Sequence, residues 1–480
     1  MHCQQERRKN MNYKFKTKPY AHQVTALQNS WMKEYYAYFM EMGTGKTKVA
    51  IDNALYMHKN KWIDWAVVIA PNSVYRNWIQ EIQKHSHGAV IHVHKDKEVY
   101  GNTRHPERYL KWFLINVEAL SHKSGVDKLK DILSRKNCYH LMILDESTTI
   151  KNRSAKRTRN ICKLGKLADY RRILTGSPIT KSPLDLYTQC EFLNPALLGF
   201  SSYFTFRARY AVMQQIEMGG RQMLFPKYYT NLDELTQKLK GFSFRVKKKD
   251  CLDLPDKLYT TRTVSLSVKQ AEVYNRLKKF AYAVINDDEV SFQNKLTEIL
   301  RLHQVANGFV NADDGSVQVF DDCPKMKELM TILEESDGKF IIWANYVQNL
   351  KTIISKLKEK YGDNSVVSIF GEVSTKDRQE AVSRFQNDSS CRFFVGNPST
   401  GGYGLTLTSA SYVVYFSNSY NLEVREQSED RAHRIGQDKN VTYIDLLAEN
   451  TIDEFIVTSL DKKMKLSAET LGEEVKKWIK

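Results

Sequence analysis

The sequence predicts an α/β protein of two lobes, each a doubly wound parallel sheet, with helical protrusions between the sheet motifs. Three observations predict it. Short aliphatic or β-branched runs alternate with helix-length stretches through both halves of the chain, as crossover-linked parallel strands require. A glycine-rich turn, GTGKT at 43–47, follows an apolar run and opens a helical pattern. A further run, HLMILD at 140–145, ends in an acidic residue followed by another, at the strand end where parallel sheets place their sites. At 480 residues the chain exceeds a single core, and ~150 residues per domain leads to two to four domains.

Taken in order, residues 1–12 read as a polar tail and 13–241 as a first lobe, its protrusion at about 195–241. In FMEMGTGKTKVA, at 39–50, Gly43 and Gly45 let backbone N–H groups approach phosphate oxygens, with Thr44 between them. Lys46 then reaches the β- and γ-oxygens and Thr47 can ligate Mg²⁺, while KTKVAIDNALYMH has helical periodicity and turns a positive N-terminal dipole to the anion. The strict pattern has glycine at position 40, where this chain has Met40. WAVVIAPNSVYRNW at 65–78, FLINVEAL at 113–120 and RRILTGSPI at 171–179 are further strand-then-loop units.

In HLMILDESTTIKN, Leu141 to Leu144 form a buried strand, and the chemistry divides the carboxylates after it. Asp145 would hold Mg²⁺ through water, and Glu146 would orient and deprotonate the attacking water. By itself an Asp-Glu pair is as well read as an exposed turn or helix cap; paired with GTGKT it becomes half of an ATPase site.

Residues 242–265 read as an inter-lobe linker, whose cations Arg245, Lys247, Lys248 and Lys249 either meet a phosphate backbone or are simply solvated. The second lobe spans 266–465, helical over about 266–335, with 466–480 as a tail. Its strand units are KFIIWANY at 339–346, SVVSIFG at 365–371, RFFVGNPSTGGYGLTL at 392–407 and YVVYFS at 412–417. No second GKT occurs among them, which suggests one nucleotide shared across a cleft. In EQSEDRAHRIGQ, 426–437, Arg431 and Arg434 stand three apart on one helix face. They are arginine-finger candidates for the charge of phosphoryl transfer, or else part of a salt-bridged face with Glu426, Glu429 and Asp430.

Lysine and arginine total 72 against 55 acids, a net charge of +17 that favours a polyanionic partner. No apolar run approaches the ~20 residues of a bilayer span, so no membrane partner is expected, and the opening residues lack the apolar core of a secretion signal. Seven cysteines without a CxxC pair argue against a zinc site or disulfide framework and for reduced thiols.

The series PYAHQ, EMGTGKT, APNSVYRNW, DESTTIKN, LTGSPI, STGGYGLTLT and DRAHRIGQ resembles helicase superfamily two, and within it the Swi/Snf family of DNA-dependent ATPases, over about residues 17 to 465. The resemblance implies two RecA-like lobes with the ATP site in the cleft between them. It assigns adenine recognition to Gln23, which by chemistry alone could also cap a helix, and nucleotide contact to Gly404. IKN at 150–152 and RIGQ at 434–437 match family hallmarks, whereas Thr148 stands where the family has histidine. The implied activity is ATP- and Mg²⁺-dependent translocation on double-stranded DNA that remodels or displaces bound complexes; the alternative is a strand-separating DNA or RNA helicase. Contacts to phosphates, independent of sequence, are expected from Ser73, Asn77 and Trp78 in the first lobe, and from Asn345, Tyr346, Gly371, Ser399, Thr400 and Gly402 in the second. Trp78 reads equally as a core aromatic. With the ATP site complete in one chain, a monomer is expected, cytoplasmic and nucleoid-associated.

Overall fold

The computed structural model describes residues 13–473 apart from 72–73, 103, 219–220, 287–291, 313, 372–374 and 402–404. The expected tail at 1–12, and the candidates Ser73, Gly402 and Gly404, lie outside the described residues. The chain divides into two compact units, one of residues up to 179 with 184–206 and 234–252, the other of 180–183, 207–233 and everything from 253 on.

The first unit contains β1 (Tyr35–Met40), β2 (Trp65–Ala70), β3 (Val90–Val93), β4 (Val99–Gly101), β5 (Lys111–Asn116), β6 (His140–Asp145) and β7 (Tyr170–Leu174). A hairpin of β8 (Ala211–Met218) and β9 (Arg221–Tyr229) precedes β10 (Ser243–Val246). The first sheet runs in the order β10-β1-β7-β6-β2-β5-β3-β4, parallel except for the β3–β4 pair at one edge. Every residue of β2 and β6 is buried, which is why WAVVIA and HLMILD are unbroken apolar runs rather than alternating ones. Because β7 alone separates β1 from β6, the loops after β1 and β6 emerge about 10 Å apart on the same edge.

One buried cation fixes the helices beside that edge. Arg172 on β7 is fully buried, and its guanidinium donates to Asn53 Oδ1 at 3.0 Å and to the carbonyls of Glu34 (2.8 Å), Arg171 (2.9 Å), Ser30 (3.2 Å) and Lys33 (2.8 Å). Burial pushes its pKa down, with Tyr38 opposing. These bonds tie the end of the helix Ala21–Ser30 and the middle of the helix Lys46–Lys59 to the central strand.

The second unit contains β11 (Lys257–Val264), β12 (Phe309–Asn311), β13 (Val317–Val319), β14 (Phe340–Trp343), β15 (Val366–Ile369), β16 (Phe393–Gly396), β17 (Tyr412–Tyr415) and β18 (Val441–Ala448). Its main sheet, β11-β18-β17-β14-β16-β15, is parallel throughout. Strands β14 and β16 are wholly buried, and cores on both faces enclose the sheet. The α/β architecture with two parallel-sheet cores is therefore as the sequence predicts.

Two sequence readings are corrected. Residues 195–241, read as mostly helical, include the long β8–β9 hairpin, whose Gly219-Gly220 pair is a turn signal. The supposed linker 242–265 supplies an edge strand to each sheet: β10 pairs with β1 and β11 with β18. One of the boundaries between the units, 252/253, falls inside this stretch.

Replacing Arg172 with methionine leaves buried carbonyls without donors. The expected loss is roughly 3 kcal/mol of stability, read as a lowered Tm, whereas Lys136→Met at an exposed position leaves the transition in place.

Candidate functional site

The turn after β1 is shaped for phosphate. Gly43 and Gly45 have φ of 79° and 85°, left-handed values that favour glycine, and a Cβ on Gly45 would stand 2.2 Å from Gln23 Nε2. Lys46 begins the helix and is buried, with Thr47 half-exposed beside it. The free N–H groups of that helix terminus and its dipole suit an anion. Gln23 is itself buried against the loop. Its Nε2 donates to Thr44 O at 3.1 Å, its Oε1 accepts from Tyr20 N–H at 3.0 Å, and His22 Nε2 lies 2.8 Å from the same Thr44 carbonyl.

At the end of β6, Asp145 is buried, and burial raises its carboxyl pKa against the opposing pull of Trp78, Lys46 and the Glu146 N–H. The Trp78 indole N–H donates to Oδ2 at 2.8 Å and the Glu146 backbone N–H to Oδ1 at 3.0 Å, which fixes the carboxylate while leaving each oxygen a further lone pair. Hard oxygen donors on Asp145 and Thr47 fit a magnesium ion, and a cation there would favour the charged form that burial opposes. Glu146 adopts φ 49°, ψ 62°, a conformation that costs a non-glycine residue about 1 kcal/mol or more. Behind the pair, Ser147 Oγ donates to Gln189 Oε1 at 2.7 Å, and Gln189 Nε2 donates to the carbonyls of Pro178 and Asp185 at 2.8 Å each. This buried relay joins the acidic loop to the TGSPI loop.

Trp78 thus leaves the list of nucleic-acid contacts. At 1% exposure it has no surface to offer a strand, and its indole N–H is instead spent on the Asp145 carboxylate; Asn77 beside it is exposed. Arg245 turns inward as well, donating to Phe39 O at 3.1 Å and Gly176 O at 2.7 Å. Lys248 is likewise buried, and its backbone N–H donates to Glu41 at 2.9 Å. Of the cations at 245–249, Lys249 is exposed.

In the second unit the sequence pair Arg431 and Arg434 converges. Both guanidinia donate to the Leu405 carbonyl, at 3.3 and 3.0 Å, and Arg431 Nε also donates to Gln427 O at 2.8 Å. A charged network holds the preceding helix, Leu422–Glu429. Arg425 is bidentate to Asp445 at 2.5 and 3.1 Å and reaches Glu429 at 2.9 Å, with Lys257 at 3.1 Å from the other Glu429 oxygen. Burial raises the Glu429 pKa, but Lys257 and Arg425 outweigh it and the carboxyl lies below its usual range. Gln437 is structural, its amide donating to the carbonyls of Thr408, Ala410 and Ala432.

The remaining candidates follow β14, β15 and β16, three neighbouring strands of that sheet. Asn345 donates from its backbone N–H to Ser417 Oγ at 2.9 Å, and its carbonyl accepts from Asn397 Nδ2 at 2.8 Å. Asn397 in turn accepts from the backbone N–H groups of Ser399 and Thr400. Tyr346 is half-buried, its hydroxyl 2.8 Å from His303 Nδ1, while Gly371 and Ser399 are exposed. Ser147, Gln189, the Arg425 network and the bond from Trp78 to Asp145 escaped the sequence reading, because each acts through a partner at least 20 residues away or through burial that no local pattern records.

A parallel sheet with a phosphate loop after one strand and an acidic pair two strands over defines the nucleotide-binding α/β class, here joined to a second sheet without such a loop. The chain belongs to the SNF2-related family. The SNF2-related domain matches residues 26–313 and the helicase conserved C-terminal domain residues 324–436. An uncharacterized ATP-dependent helicase of Mycoplasma genitalium is 28% identical over 443 residues, covering 91% of this chain and 40% of that protein. The putative ATP-dependent helicase/translocase YwqA of Bacillus subtilis is 26% identical over 454 residues, covering 92% and 46%. The DNA annealing helicase and endonuclease ZRANB3 of Mus musculus is 27% identical over 441 residues, covering 90% and 38%. The chain therefore spans less than half the length of these relatives. The solved Sulfolobus solfataricus SWI2/SNF2 ATPase core in complex with dsDNA is 27% identical, covers 95% of this chain and 93% of its own, and has a TM-score of 0.44.

Trp78→Phe keeps the ring and removes the bond to Asp145. ATP turnover is expected to fall about 10-fold or more, as for other residues that orient a metal-binding carboxylate, with an unchanged melting profile; equal turnover would remove Trp78 from the site. Glu429 gives a pH prediction. Its depressed folded pKa contributes stability above the unfolded value of ~4.3, lost as the pH falls through the lower folded value. Glu429→Gln should therefore be less stable than the parent at neutral pH and lose less on acidification, read by denaturant titration at several pH values.

Proposed function

We propose that this chain is an ATP-hydrolysing motor that translocates along double-stranded DNA without reading its sequence, displacing or remodelling what is bound there. The observation that carries the reading is the division of parts between two parallel-sheet units. The first holds the phosphate loop, Lys46 and the Asp145–Glu146 pair; the second has no phosphate loop and instead brings two guanidinia to one carbonyl. Kinship with a helicase/translocase such as YwqA supports it, as does the +17 net charge.

In this reading Lys46 and the N–H groups of the loop bind the phosphates of ATP, and Gln23 links the loop to the adenine. Thr47 and Asp145 would hold magnesium, which when bound supplies positive charge against the phosphate oxygens. Glu146 orients the attacking water and takes its proton, and the charge of Arg431 and Arg434 opposes that which builds on the γ-phosphate. Asn77, Asn345, Gly371, Ser399 and Thr400 contact phosphates, so binding weakens steeply with salt.

A second reading, strand separation, gains from the hairpin. Its strands of 8 and 9 residues carry exposed Ile216, Met223, Leu224 and Tyr228, the apolar ribbon that a wedge between bases would use.

Steady-state ATP hydrolysis without nucleic acid and with single-stranded DNA, duplex DNA or RNA tests the proposal, beside triplex-displacement and strand-displacement assays. Duplex DNA is expected to stimulate turnover at least about 10-fold, equal to about 1.4 kcal/mol of barrier, and to support triplex displacement. Lys46→Ala should abolish turnover, and Arg434→Ala should reduce it by roughly a thousand-fold. Strand displacement lost on replacing Met223 and Leu224 by serine would establish the second reading, and the absence of turnover under all conditions would overturn both.

A further inference from the structure

A cavity of about 470 Å³ opens in the first unit between the helices Lys156–Gly165 and Leu186–Leu193 and the turn at 201–204. None of the residues assigned above to ATP or to DNA lines it. Its walls carry four cations, Arg153, Arg159, Lys163 and Lys166, against one acid, Glu191. Arg159, Lys163 and Lys166 recur at spacings of four and three, hence on one helix face, and span about 10 Å at 1.5 Å per residue. All four are exposed, and none is ion-paired with a carboxylate among the described residues. Like charges gathered round one hollow repel one another, and an anion seated there relieves the repulsion.

The cavity is also aromatic. The Arg153 guanidinium lies 4.7 Å from the Tyr203 ring centroid and 5.1 Å from that of Phe204, and Tyr187 packs edge-on against Tyr203 at 5.5 Å. Phe204 keeps 58% of its surface exposed. Cations interleaved with planar groups are how single-stranded nucleic acid is held, phosphates on the charges and bases on the planes. The volume lies within the ~300–1,000 Å³ of small-ligand sites, far more than a lone phosphate fills, and a base still paired in a duplex has no free face to offer it. An acidic peptide would meet the cations but has no planar group for the rings. The chemistry is one of binding, since burial pushes the lining Cys162 thiol up to about 12 and so leaves it no thiolate at neutral pH.

We propose that this cavity binds a single unpaired nucleotide, its phosphate on Lys163 and Lys166 and its base against Phe204 and the Arg153 guanidinium. The nucleotide belongs either to a strand or to the free pool. The proposal does not rest on the translocase reading, because it is tested by binding rather than turnover.

The experiment uses the full chain with its phosphate loop saturated by a non-hydrolysable ATP analogue. Two probes are titrated at low and moderate salt: a short oligothymidylate carrying one 2-aminopurine, and thymidine monophosphate. The oligonucleotide is expected to bind with quenched 2-aminopurine. Lys163→Glu/Lys166→Glu should weaken it by about 10-fold or more and lower the log–log salt slope by about 0.7, for the one phosphate the two lysines share. Phe204→Ala should remove the quenching and cost about 10-fold in affinity. Saturation by the monophosphate alone, sensitive to the same variants, supports the site with the free nucleotide as its source. Unchanged oligonucleotide affinity, slope and quenching in both variants, with no monophosphate binding, overturns the proposal; so does displacement of the probe by polyglutamate as readily as by oligothymidylate. Duplex-stimulated ATP hydrolysis by the same preparations is read separately, so failure of the motor and failure of this site are distinguishable.

Discussion

A buried guanidinium solvated by carbonyls, with no ion-paired carboxylate among the described residues, is the constraint on which the first unit depends. Arg172 lies in the central part of the sheet, and its five bonds to oxygen reach the helix that carries Gln23, the turn after it and the helix that begins at Lys46. Carbonyl oxygens solvate the charge much as water would, so it is buried without a carboxylate that would repel a nucleotide's phosphates nearby. The phosphate loop hangs between two elements that this one side chain clamps.

The second unit solves a similar problem with opposite means. Arg425, Lys257, Glu429 and Asp445 form a buried network of alternating sign, and the Arg425 guanidinium stands 3.5 Å over the Tyr415 ring. Here charge is balanced locally, so the segment that follows can carry Arg431 and Arg434 toward one carbonyl without their repulsion unravelling the helix. Each unit thus satisfies its buried structural cations internally, apart from the cations proposed to meet a nucleotide.

What the sequence revealed was what local pattern can encode. Unbroken apolar runs marked β2, β6, β14 and β16 because both faces of a parallel sheet are covered, and GTGKT and the acidic pair were legible because phosphate chemistry demands those residue types at those spacings. Burial of polar side chains was not legible. Trp78 reads in sequence as either a core aromatic or a strand contact and Arg245 as a phosphate contact or a solvated cation, and only the fold reveals that one is bonded to Asp145 and the other to Phe39 and Gly176. The edge strands β10 and β11 were read as linker because a four-residue strand with only Val246 buried and an alternating stretch carry little apolar signal. The β8–β9 hairpin was missed because its strands, MQQIEM and RQMLF among them, are rich in residues that favour helices as readily as strands.

The left-handed backbone at Glu146 has a consequence for how such a chain ages. Glycine or asparagine would occupy φ 49°, ψ 62° with less strain than glutamate does. Folding therefore favours the loss of this side chain, and selection for a well-folded chain alone would erode it. A chain relieved of its catalytic task would therefore gain stability by accepting a more comfortable residue at this one position, with its core untouched.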